Sequence, residues 1–191
     1  MSDKILDPNK VRAKKMMLLF ALLSITMTFA GLTSAYIVSK GRPDWLVDFE
    51  LPILFFYSTI LLVISSITIQ LAKYNLINNK SKNNVLMWLS LTLILGFLFC
   101  ILQFLSFRNL IEMGYFFAGA QSTITTSFIY VLTFLHAVHL LAGIIVLLVL
   151  IYNTNNNRYQ VNKLGFTLGV TFWHYLDFLW LYLFLFFYFF G

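Results

Sequence analysis

Residues 168–190 read LGVTFWHYLDFLWLYLFLFFYFF, an unbroken apolar run that holds a single carboxylate, Asp177. At a rise of about 1.5 Å per residue, such a run forms a helix that crosses a hydrocarbon layer about 30 Å thick. The other six acids (Asp3, Asp7, Asp44, Asp48, Glu50 and Glu112) all lie outside the apolar runs of the chain. An ionisable group within such a run is expensive unless paired, hydrated or protonated, which marks Asp177 as a candidate functional residue. His174 stands one helical turn before it and Trp180 one turn after, so the three share a face.

Working outward, four more runs of comparable length appear, at about 16–38, 51–72, 85–107 and 123–152. Together with 168–190 they fill most of the 191 residues, of which 60% are hydrophobic and only 10% charged. A soluble domain carries roughly 25% charged residues, so this chain reads as an integral membrane protein. The runs are too long and too continuous for barrel strands, which alternate in polarity over about 10 residues. The expected fold is all-α: a five-transmembrane-helix bundle forming one domain over 1–191. The fourth run is long enough to be tilted or to start outside the membrane. Lys14-Lys15 followed by an apolar run loosely resembles a signal peptide. That run is over 20 residues, longer than the usual 7–15 of a signal h-region, so the first helix is expected to stay.

The net charge of +6 reports orientation. With the N-terminus inside, Lys4, Lys10, Arg12, Lys14, Lys15, Lys73, Lys80, Lys82, Arg158 and Lys163 face the cytoplasm, and only Lys40, Arg42 and Arg108 face out. That bias sets topology, with the C-terminus on the outer side, and argues for anionic headgroups and against nucleic acid as the partner. The connecting segments are short. Gly41-Arg42-Pro43-Asp44 signals a turn, Trp45 suits the interface, and Pro52 fits the first turn of the second helix. A single cysteine, Cys100, permits no internal disulfide. No phosphate loop, Cys-x-x-Cys pair or hydrolase triad occurs, so the chain works within the bilayer or through partners.

The polar residues of the last two runs carry the chemistry. His136 and His139 lie three apart in the fourth, with Thr133 a turn before and Gly143 beyond, where a small residue admits a neighbouring helix. The fourth and fifth helices run in opposite directions, which puts His139 at the depth of His174 and Asp177 and predicts that they meet. Three readings follow. His136, His139, His174 and Asp177 could ligate zinc or copper; His139 and His174 could hold a b-type haem; or the group could be a structural or proton-handling knot between helices. The bulk of Trp173, Tyr175, Phe178 and Trp180 disfavours a porphyrin. A small proton-coupled carrier that titrates Asp177 is a further reading, although the repeats and broken helices of such carriers are missing. Elsewhere, Ser and Thr in the first two helices read as packing glue, and Gln103 as a residue reaching a partner helix.

The stretches Phe134-Leu135-His136-Ala137-Val138-His139 and Trp173-His174-Tyr175-Leu176-Asp177-Phe178-Leu179-Trp180-Leu181 resemble the last two helices of subunit III of haem–copper cytochrome c and quinol oxidases. Met27-Thr28-Phe29-Ala30-Gly31 is similar to that family's M-F-F-A-G, and Gly96 with Gln103 to its G-x-x-F-x-x-x-Q. The resemblance covers nearly the whole chain and corresponds to the shorter, five-helix form. Acids that the family often carries are replaced by Ile25, Ser106 and Thr167, which weakens a proton-antenna role at those positions. The resemblance implies an accessory, non-redox subunit of a proton-pumping terminal oxidase in a bacterial-type inner membrane. It implies no catalytic, cofactor-binding or metal residue in this chain, haem and copper being held by partner subunits. It also implies packing on subunit I, proximity to subunit II, and bound phospholipid. His136, His139, His174, Asp177 and Trp180 would form a structural, proton-handling or lipid-associated cluster, and Gly31, Gly96, Gln103 and Gly143 would serve helix packing.

Overall fold

The computed structural model describes residues 7–46, 49, 51–119, 122–159 and 162–190. Asp3, Lys4, Asp48 and Glu50, counted above among the charges flanking the helices, lie outside the described residues. Five α-helices follow one another: α1 (Pro8–Val38), α2 (Ile53–Ile77), α3 (Lys82–Glu112), α4 (Ile124–Asn155) and α5 (Leu164–Phe190), with a 3-10 turn at Ser39–Gly41. All five are long and apolar enough to cross a membrane, and the described residues contain no strand. The protein is a multi-pass integral membrane protein.

Apolar runs mark the part of a helix that matches hydrocarbon, whereas capping chemistry marks its ends. α1 therefore begins well before its apolar run, at Pro8, with Asp7 as N-cap accepting from the Asn9 N–H at 3.0 Å. α2 begins at Ile53, and Pro52 sits at its N-cap rather than within its first turn. α4 starts on a reciprocal capping box between Thr123 and Thr126. Three helices end alike. At the C-terminus of α2, the Lys80 N–H returns to the Asn75 carbonyl and Asn79 takes a positive φ of 51°. Asn157 and Gly114 close α4 and α3 in the same way, with the Arg158 N–H returning to the Asn153 carbonyl and the Tyr115 N–H to the Leu110 carbonyl, the pattern that satisfies the last carbonyls of a helix.

Helices α2, α3, α4 and α5 pack as a closed four-helix ring, and α1 lies outside it against α4 and α5. The centre of the ring is Trp173, only 1% exposed. A Cβ added at Gly96 of α3 would lie 2.9 Å from its ring, and one at Gly143 of α4 would lie 3.2 Å away. Its indole N–H donates to Ser65 Oγ of α2 at 3.0 Å. One side chain thus ties four helices at one level, and two glycines make room for it. Gly169 gives α5 a similar close approach to Leu150 of α4. Gly31, expected to serve packing, meets nothing within 4 Å, because it faces away from the helices of its own chain.

Candidate functional site

The face of α5 that carries Trp173, His174, Asp177 and Trp180 is turned mainly to α2. Along α2, Thr59, Ser65, Ser66 and Gln70 recur at helical spacing and meet it group by group. Trp180 Nε1–H donates to Thr59 Oγ1 at 3.0 Å, and Thr59 in turn donates to the Phe55 carbonyl at 2.7 Å. His174 Nδ1 lies 2.7 Å from Ser66 Oγ, and its Nε2 lies 3.2 Å from Gln70 Oε1. Hydrogen bonds between membrane helices are each worth about 0.6 kcal/mol, so a seam of several fixes helix rotation rather than dominating stability.

Asp177 sits in the middle of this seam and is left over. It is 8% exposed, and neither carboxyl oxygen has a hydrogen-bond partner. It lines a cavity of about 290 Å³ between α2 and α5 together with Thr59, Ser66, His174 and Trp180, open on its outer side beside the exposed Val63 and Phe178.

The expected meeting of His139 with His174 and Asp177 does not occur. His139 Nδ1 binds the Leu135 carbonyl of its own helix at 2.7 Å, and its ring edge meets Phe29 of α1 with centroids 5.8 Å apart. His136 turns inward and is fully buried. Its ring lies 5.0 Å from that of Trp180 and edge-on to Phe99 at 5.9 Å, with no hydrogen bond at either nitrogen. Residues three apart on a helix diverge by about 60°, enough to send one histidine to the core and the other to α1. Trp180 is therefore the divider, with His136 on one side and the Asp177 cavity on the other.

Among the described residues, no three His, Cys, Asp or Glu side chains converge as metal ligands. The positions where the related family often carries acids are spent locally or apolar. Ser106 Oγ donates to the Leu102 carbonyl at 2.8 Å, Thr167 Oγ1 to the Lys163 carbonyl at 3.2 Å, and Ile25 packs against the core. Gln103 reaches across to α2, its Nε2 donating to Ser58 Oγ at 2.8 Å. Trp173, the central tie, was not singled out from the sequence. The signal that could have found it is the pair Gly96 and Gly143, small residues on two helices that together imply one large side chain between them.

This arrangement of five spanning helices matches a known pattern along its length. Residues 10–191 fit the family model described as cytochrome c oxidase subunit III. The chain belongs to the cytochrome c oxidase subunit III family. As a subunit III it is a component of an oxygen-reducing respiratory oxidase. Among its relatives, subunit 3 of the cytochrome bo(3) ubiquinol oxidase of Buchnera aphidicola is 36% identical over 138 residues, covering 70% of this chain and 67% of that protein. The Pseudomonas aeruginosa subunit 3 of a bo(3) ubiquinol oxidase is 32% identical over 166 residues, covering 84% and 77%. Subunit 3 of the Corynebacterium diphtheriae cytochrome c oxidase is 29% identical over 171 residues, covering 83% and 79%. The relatives divide between quinol and cytochrome c oxidases, so subunit III chains similar to this one serve both.

Proposed function

We propose that this subunit III is the non-redox scaffold of its oxidase: it packs on the haem- and copper-bearing subunit I, near subunit II, and holds phospholipid at its apolar flanks. In this reading the N-terminus is cytoplasmic, the C-terminus is outside, and the membrane is a bacterial-type inner membrane. The observation that carries it is the separate commitment of the three histidines. Each faces a different element: His136 the Trp180 ring, His139 its own helix and α1, and His174 the α2 seam. Imidazoles spread over three surfaces serve packing and hydrogen bonding better than ligation of one centre. The cluster His136, His139, His174, Asp177 and Trp180 acts as two halves of a helix fastening with Trp180 between them.

The outer surface supports the same reading. Phe178 at 68% and Phe189 at 71% exposure present large apolar groups along α5, suited to acyl chains or to a partner helix. The test is extraction in mild detergent through an affinity tag on this chain. Haem-bearing subunits are expected to co-purify, and the chain dissociated from them is expected to show no Soret absorbance. A Soret band that stays with the isolated chain would overturn the scaffold reading.

A further inference from the structure

The hydrogen bonds of the α2–α5 seam have an order that a simple fastening does not need. Thr59 accepts from the Trp180 N–H and donates to the Phe55 carbonyl, and both nitrogens of His174 are engaged. The spare capacity in the cavity belongs to Asp177 and to free lone pairs on Ser66 and Thr59. The cavity, at about 290 Å³ and open on its outer side beside the exposed Val63 and Phe178, exceeds the roughly 10–15 Å³ that one water requires, and at its inner wall Asp177, Ser66 and Thr59 supply the polar partners a water needs. From it a line runs from Ser66 of α2 through His174 of α5 to Gln70 of α2. Lys73 stands one turn beyond Gln70, toward the end of the bundle where Lys80, Lys82 and Lys163 cluster around α2, α3 and α5.

We propose that Asp177, a cavity water, Ser66, His174 and Gln70 form a reversible proton-exchange relay between a mid-membrane carboxyl and the lysine-rich end of the bundle. The line can be written in two directions, and in each every link has one donor and one acceptor. With Asp177 protonated, its O–H donates to the water, the water to Ser66, the Ser66 O–H to His174 Nδ1, and His174 Nε2–H to Gln70 Oε1. Transfer along the line takes one proton from the carboxyl and adds one to Nδ1, leaving a carboxylate and an imidazolium. Loss of the Nε2 proton to water beside Gln70 then restores a neutral ring. A turn of the Gln70 amide makes its Nε2–H the donor to the bare ring nitrogen. Every bond now points toward Asp177: His174 Nδ1–H to Ser66, Ser66 to water, water to the carboxylate. One proton has left Asp177 and one has been released at the Gln70 end. Histidine is the side chain suited to this step, because its two nitrogens exchange donor and acceptor roles.

The charged and titratable neighbours are few. Lys73 is on α2 and His174 on α5; His136 of α4 lies across the Trp180 ring, and neither α1 nor α3 lines the cavity. The relay stands on this geometry and not on the assembly role proposed above.

The experiment uses the purified, assembled oxidase and reads the infrared C=O stretch of protonated Asp177, identified as the band lost in Asp177→Asn. On transfer to deuterated water the parent band is expected to shift promptly. In His174→Phe and Ser66→Ala the exchange is expected to slow by at least about tenfold, which corresponds to about 1.4 kcal/mol on the transfer barrier. Gln70→Leu, at an exposed position that leaves the core untouched, is expected to slow it as well and serves if a core variant fails to assemble. Equal exchange rates in the parent and these variants would overturn the relay, as would a band that Asp177→Asn does not remove at any pH. Failure of the parent chain to co-purify with haem would count against the scaffold reading alone.

Discussion

Gly143 and Gly31 are both helical glycines, and they differ in what a methyl group would meet. At Gly143 a Cβ would lie 2.7 Å from Leu176 Cδ1 and 3.2 Å from two atoms of Trp173. The leucine tip can move, but the indole is held by Ser65 on one side and Gly96 on another. Gly143→Ala is therefore expected to cost about 1–3 kcal/mol, the usual range for overpacking. Gly31→Ala meets nothing and removes a flexible residue from a helix interior, so it is expected to be neutral or to gain up to about 1 kcal/mol. Reversible unfolding in mixed micelles measures both. His136 offers a second case: its ring packs on Trp180 and Phe99 while its nitrogens bond to nothing. His136→Phe keeps the ring and removes two unpaired polar atoms, so stability is expected to hold or rise by about 1 kcal/mol in the same assay. A clear loss would show that those nitrogens find a hydrogen-bond partner, such as a buried water, inside the bundle. Spacing in the sequence set Trp180, Asp177 and His174 on one face of α5. It could not say which helix that face meets, because rotation about the helix axis is decided by the largest side chains, Trp173 and Trp180, finding their glycines and hydroxyls.

Among the elements, α1 is attached differently from the rest. Its buried side chains are Phe29, Thr33 and Tyr36, spaced along one narrow stripe. Its polar ties to α5 are Tyr175 with Thr26 at 2.7 Å and with the Leu22 carbonyl at 3.1 Å, Thr33 with Tyr182 at 2.9 Å, and Tyr36 with the Phe190 carbonyl at 3.2 Å. These partners repeat at helical intervals on both sides, so α1 is laid along α5 by tyrosine hydroxyls more than by interlocking apolar groups. Tyr175→Phe and Tyr182→Phe are each expected to cost about 0.6 kcal/mol. The loss should appear locally: hydrogen exchange in detergent should rise in α1 and stay unchanged in α3 and α4. A uniform rise across all helices would show that α1 is integral to the ring. The helix runs were legible from apolar length alone. Their ends were not, since Asp7, Thr123, Asn79 and Asn157 act through capping geometry that hydropathy ignores. The hydroxyl seam was legible only as glue, because Ser65, Ser66 and Thr59 acquire distinct roles when matched to Trp173, His174 and Trp180.

For the molecule as a whole, charge contributes little to holding the bundle. The described ion pairs are Arg42 with Asp44 and Arg108 with Glu112, at 3.3 and 3.7 Å, and the side chains of both pairs are largely exposed. Exposed pairs of this kind are worth about 0–1 kcal/mol. The cations act instead through their distribution: among the described residues, nine stand toward one end of the bundle and three toward the other. Two of the nine also close helix ends: Lys82 Nζ donates to the Asn155 carbonyl of α4, and Lys163 Nζ to the Ile77 carbonyl of α2 at 3.3 Å. A cation at a helix C-terminus favours the partial negative charge there, so the residues that satisfy these carbonyls are also those that, in the orientation proposed above, hold that end in the cytoplasm. Orientation can be read directly from two exposed arginines at opposite ends of the bundle, Arg108 near the end of α3 and Arg158 after α4. In a Cys100→Ala background, Arg108→Cys is expected to react with a membrane-impermeant maleimide on intact cells freed of their outer envelope. Arg158→Cys is expected to react only after the membrane is opened. The reverse pattern would place the lysine-rich end outside, and the α2–α5 line would then lead from Asp177 to the opposite compartment.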